Sequence, residues 1–114
     1  MSVARYQILF WLCLIGTAIL SLSPSIPGHQ LFELQDKVGH GTVYALLFFI
    51  CARAYGHRYH FAVLALVLAG FGLSMEIAQS MTTYRQADAW DMLANTSGIV
   101  AIWVLMAWRR RARD

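Results

Sequence analysis

Four long apolar runs separated by short polar stretches organise the sequence. They extend from Tyr6 to Leu22, from Lys37 to Ala54, from Phe61 to Met81 and from Trp90 to Trp108. Each falls within the roughly 17–25 residues with which an α-helix crosses a hydrocarbon core of about 30 Å. Backbone polar groups in lipid must be satisfied within the segment itself, so runs of this length read as transmembrane helices. The pattern predicts an all-α polytopic membrane protein, a four-transmembrane-helix bundle with spans at about 6–22, 37–54, 61–81 and 90–108, in a single domain over residues 1–114.

The first run has a rival reading as a secretory signal, with Arg5 as its basic start and Ser21-Leu22-Ser23 as a small-x-small cleavage pattern. Its length exceeds the usual apolar core of roughly 7–15 residues in such signals, which favours a retained span. It ends at the break Ser23-Pro24-Ser25-Ile26-Pro27-Gly28. Between Gly28 and Gln35, the apolar residues Leu31, Phe32 and Leu34 suit either an ordinary loop or a turn of helix lying in the interface.

Composition supports the membrane reading. The chain has 114 residues, 59% of them hydrophobic and 13% charged, with a mean hydropathy of +0.53, outside the ordinary range of soluble domains. A chain this short encloses no large aqueous vestibule alone, which leaves homo-oligomerisation open. The net charge of +3 does not point to nucleic acid. Its excess lies in Arg109, Arg110, Arg111 and Arg113, directly after the fourth run, where it acts as an orientation signal with attraction to anionic lipid in addition. With four spans, Arg5, the Arg53/Arg58 connection and these C-terminal arginines fall on one side. The positive-inside rule makes that side, and both termini, cytoplasmic. Cys13 and Cys51 lie within apolar runs without a histidine at metal-ligand spacing, so neither a disulfide nor a zinc site is expected.

The polar residues inside the runs carry the chemistry. Asp36, His40 and Tyr44 recur every fourth residue at the start of the second run, with Lys37 beside them, a spacing that places them on one helical face. Glu76 lies about fifteen residues into the third run, roughly 22 Å from its start at 1.5 Å per residue. Gln79 shares its face, and Gly72, one turn earlier, is small enough to let another backbone approach the acid. An ionisable group within a span costs about 2.5–3.5 kcal/mol on insertion scales and normally faces a partner inside the bundle. Asp88, Asp91, Asn95 and Gly98 form one stripe at the start of the fourth run, where Ala94 and Gly98 add a small-xxx-small contact surface. Four alternating spans bring these stretches, with Arg85, to the same extracytoplasmic end. Tyr55, Tyr59, His29, His57 and His60 fall outside the cluster and receive no role in it.

Several of these residues make a pattern in order and spacing. Leu22-Ser23-x-x-x-Pro27 follows the first span, Asp36-Lys37-x-x-His40-x-x-x-Tyr44 opens the second, Glu76-x-x-Gln79 closes the third, and Arg85-x-x-Asp88-x-x-Asp91-x-x-x-Asn95-x-x-Gly98 leads into the fourth. Over essentially its whole length the chain thereby resembles the VanZ-like family of small bacterial membrane proteins, named for an accessory protein linked to teicoplanin resistance. The resemblance implies a four-span fold in the bacterial inner membrane and an association with the cell envelope and glycopeptide sensitivity. It implies no defined reaction.

Three functions suit such a cluster. In the first, the site binds or modifies an anionic lipid-linked headgroup, with a membrane lipid or a lipid-linked cell-wall precursor as partner. Lys37, Arg85 and protonated His40 hold phosphate, Glu76, Gln79, Asp91 and Asn95 orient those cations or read neighbouring hydroxyls, and Asp36, Tyr44 and Asp88 complete the binding site. In the second, the protein is a hydrolase or transferase acting on a phosphate or glycan lipid, with His40, Glu76 and Asp91 as catalytic residues. No cofactor is assigned and no dense metal signature occurs. A metal-dependent form of this reading draws on His40, Glu76 and Asp88 or Asp91. In the third, the network is architectural and the protein is a membrane scaffold.

Overall fold

The computed structural model describes residues 1–23, 35–82 and 89–113, the side chains of Gln35 and Asp36 excepted. Among them the chain forms four helices, α1 (Val3–Leu22), α2 (Gln35–Tyr55), α3 (Phe61–Ser80) and α4 (Ala89–Arg113). All four are long and apolar enough to cross a membrane. The interfacial turn considered for 28–35 lies, except for Gln35, outside the described residues.

Helix ends depart from the ends of the apolar runs because capping and propensity, rather than hydropathy, decide where a helix stops. α1 begins at Val3, ahead of Tyr6, because the Ser2 hydroxyl accepts a hydrogen bond from the Arg5 backbone N–H at 3.3 Å, satisfying a donor of the first turn. α4 runs past Trp108 to Arg113. Arginine is a good helix former, and its charge favours the C-terminal end of the helix dipole.

α2 is the centre of the bundle. It packs against α1, α3 and α4, whereas α1 and α4 do not approach each other among the described residues. Leu47 and Phe48 of α2 are fully buried with Leu68 of α3 and Ile99 of α4. The Phe48 ring stands edge-on to Phe61, with centroids 5.8 Å apart, a favoured aromatic geometry. α1 is peripheral, and Phe10 is its one buried residue. Ile8, Leu12, Ile15 and Ile19 face outward, as apolar side chains do against lipid.

The closest approach is between α2 and α4. A Cβ placed on Gly98 would lie 2.1 Å from the Gly41 carbonyl oxygen and 3.1 Å from the Ala45 nitrogen. Backbone therefore meets backbone at the Ala94/Gly98 surface expected from sequence, and its counterpart on α2 is Gly41/Ala45.

A five-residue connection, 56–60, turns α2 into α3. It is held by N–H donation from Gly56 to the Ala52 carbonyl at 2.8 Å and from Tyr59 to the Tyr55 carbonyl at 3.0 Å. At this end α1 is braced on α2 by the Trp11 indole N–H, which donates to the Tyr55 hydroxyl at 2.9 Å, and by the Gln7 amide, which donates to the Ala54 carbonyl at 3.2 Å. Both cysteines are free thiols.

Candidate functional site

At the opposite end, α2, α3 and α4 each direct a titratable side chain to one point. His40, Glu76 and Asp91 bring a ring nitrogen and two carboxylate oxygens within 4.8 Å of one another. Both acids are buried. Helical spacing accounts for the convergence. Lys37, His40 and Tyr44 descend one face of α2, Gly72 and Glu76 sit one turn apart on α3, and Asp91 and Asn95 sit one turn apart on α4.

Lys37 Nζ forms a salt bridge with Asp91 Oδ1. The other oxygen of Asp91 lies 3.7 Å from His40 Nε2, beyond ordinary hydrogen-bond length but within range of an ion pair once the ring is protonated. His40 Nδ1 lies 3.2 Å from Asn95 Oδ1. With the amide oriented this way its oxygen accepts from a protonated Nδ1, and Nε2 faces Asp91. Asn95 is 1% exposed, which holds this arrangement in place. No buried side-chain nitrogen or oxygen among the described residues lacks a hydrogen-bond partner.

Tyr44 and Gly72 form the floor. A Cβ on Gly72 would lie 3.1 Å from Asn95 Nδ2 and 3.3 Å from Tyr44 Cε1. The groups that approach this glycine are thus two side chains, whereas the sequence suggested a backbone. Gly72→Ala is therefore expected to push Asn95 off His40 while lowering stability by less than about 1 kcal/mol, since the neighbours need yield only slightly. Changed His40 ring 15N shifts with a nearly unchanged melting temperature would register this, and unchanged shifts would refute it.

Of the residues expected at the site, Lys37, His40, Tyr44, Glu76, Asp91 and Asn95 converge. Gln79 is buried as well, but its amide donates to the Ser21 carbonyl at 2.7 Å and ties the end of α3 to α1. Asp36 lies in the first turn of α2, and its side chain, like Arg85 and Asp88 entirely, lies outside the described residues. Two contributors had not been singled out. The Gly41/Ala45 pair, which lets α4 close on α2, was legible as a small-xxx-small spacing. The Ser21 carbonyl carries no sequence signal, being backbone.

One imidazole and two carboxylates are a donor set that divalent transition metals accept. Here the Lys37 ammonium already lies on Asp91. Among the described residues the arrangement is an acid–base cluster that includes the Lys37 cation. No family model, curated protein or solved structure matches the chain.

Proposed function

We propose that the protein is a multi-pass protein of the bacterial cytoplasmic membrane whose polar cluster is a site in the outer leaflet for the phosphate-bearing headgroup of a lipid-linked envelope molecule. The observation that carries this reading is the convergence of His40, Glu76 and Asp91 within 4.8 Å at one end of a bundle whose other end is basic. The arginine-rich end, with both termini, is cytoplasmic by the positive-inside rule. Trp90 and Trp108, both exposed, stand about 27 Å apart along α4 at 1.5 Å per residue, a separation suited to tryptophans at the two interfaces. Asp91 follows Trp90 directly, so the cluster lies where headgroup meets hydrocarbon. Asp91 aims Lys37, and Asn95 aims His40, so that an ammonium and a protonatable ring stand together where a phosphate can meet them by charge-assisted hydrogen bonds. The resemblance of these motifs to the VanZ-like pattern supports an envelope role, with reduced teicoplanin sensitivity as its cellular counterpart.

A second reading, an enzyme acting on the same headgroup, is favoured by the pairing of Nδ1 with Asn95 and of Nε2 with Asp91. That arrangement suits a general base whose protonated form is stabilised by the carboxylate.

Protein in phosphatidylcholine nanodiscs, titrated with a polyprenyl phosphate and with the matching uncharged polyprenol, tests the proposal. The phosphate is expected to bind at least tenfold more tightly, and Lys37→Gln and His40→Ala to lose about tenfold each, the order of a charged hydrogen bond. Equal binding of phosphate and alcohol would overturn the reading. His40→Gln with binding retained but lipid turnover abolished would establish the enzymatic form.

A further inference from the structure

The basic end contains a second feature, separate from the polar cluster. Because α1 and α4 flank α2 without touching, a groove of about 330 Å³ opens between them over the last turns of α2. Its floor and walls include Phe49, Ala52, Tyr6 and Met106. Its rim carries Arg53, Arg109, Arg110 and Arg113, and among the described residues the lining contains no Asp or Glu.

Two of these guanidinium groups are held in place. Arg53 lies over the Tyr6 ring at 5.3 Å, and Arg110 over the Phe61 ring at 4.3 Å; both are cation–π distances. A guanidinium stacked on a ring keeps its N–H edge available for an oxyanion, so part of the ordering cost of binding is met in advance.

We propose that this groove is a binding site for an anionic phospholipid of the adjoining leaflet, with the headgroup phosphate among the rim arginines and an acyl chain along Phe49 and Met106. Charge complementarity selects the headgroup: four arginines converge with no carboxylate among the described lining residues, at the end of a membrane bundle where lipid phosphates are concentrated. The apolar floor selects a lipid over a soluble anion. Phe49, which lines the groove, is 40% exposed overall, so hydrocarbon surface remains for a chain to cover.

Native mass spectrometry of protein released from nanodiscs tests the assignment. Discs of phosphatidylcholine with a minor share of phosphatidylglycerol are expected to yield retained phosphatidylglycerol well above its share. Arg53→Gln and Arg109→Gln are each expected to lower that retention about fivefold, the value of one arginine near an anionic surface. Arg111→Gln removes the same charge from the same helix but does not line the groove, and is expected to change retention less than twofold. Equal losses for Arg111→Gln and Arg53→Gln would reduce the effect to diffuse attraction and overturn the site. Competition by millimolar inorganic phosphate would assign the groove to a free anion and overturn the lipid. Arg109 belongs to neither stacked pair, so its variant keeps the test decisive if loss of the Arg53–Tyr6 stack unfolds the protein, which melting in pure phosphatidylcholine discs would reveal.

Discussion

Gly98→Ala is expected to destabilise the bundle by about 2–3 kcal/mol, at the upper end of ordinary overpacking, and to disperse the polar cluster with it. One methyl group has this effect because of what it meets. The added carbon would lie 2.1 Å from the Gly41 carbonyl oxygen and 3.0 Å from its carbon, and neither atom can rotate aside as a side chain would. α4 must move away from α2, and that same crossing brings Asp91 and Asn95 to Lys37 and His40. Gly16 and Gly70 provide the comparison, since a Cβ on either meets nothing within 4 Å. There alanine is expected to be neutral or to gain about 0.5–1 kcal/mol through helix propensity. Melting of the three variants in detergent, read beside headgroup binding, checks both parts. If Gly98→Ala melts with Gly70→Ala, the close crossing is wrong.

The second large effect is expected at Asp91. Asp91→Ala removes the carboxylate that pairs with the Lys37 ammonium and one negative charge facing His40 Nε2. Breaking a fully buried ion pair costs about 3–5 kcal/mol. Here the Lys37 side chain is 26% exposed and can turn toward water, so a loss of about 2 kcal/mol is expected. The informative variant is Lys37→Met with Asp91→Leu. Replacing both charges with apolar groups is expected to restore most of the melting temperature, as it does at other buried ion pairs, while headgroup binding stays absent. Recovery of both properties would identify the network as architecture and remove the case for a site.

The four helices long and apolar enough to cross a membrane were legible because hydropathy over about 20 residues is a strong signal. The assembly of His40, Glu76 and Asp91 was legible as well, since an ionisable residue in a span requires a partner and alternating spans leave few places to find one. Pairing was not. Lys37 and Asp91 are 54 positions apart, and helix periodicity gives each a face without saying which opposing residue it meets. Gln79 illustrates the same limit: its position on the Glu76 face was visible, but its partner is the backbone of Ser21, which any residue type would supply. At Gly72, spacing identified a close approach and could not tell side chain from main chain.

The peripheral position of α1 bears on how the protein is made. Helices emerge in chain order, and α1 is apolar enough to stand alone, whereas α3 carries the buried Glu76 and Gln79. α2 carries Lys37 and His40 near one end, and two of the residues that meet them, Asp91 and Asn95, belong to the last helix. Until α4 arrives the cluster lacks both, so its full arrangement forms only at the end of synthesis. Assembly of the polar cluster is thereby completed by the final helix, although the residues it completes stand on the second and third.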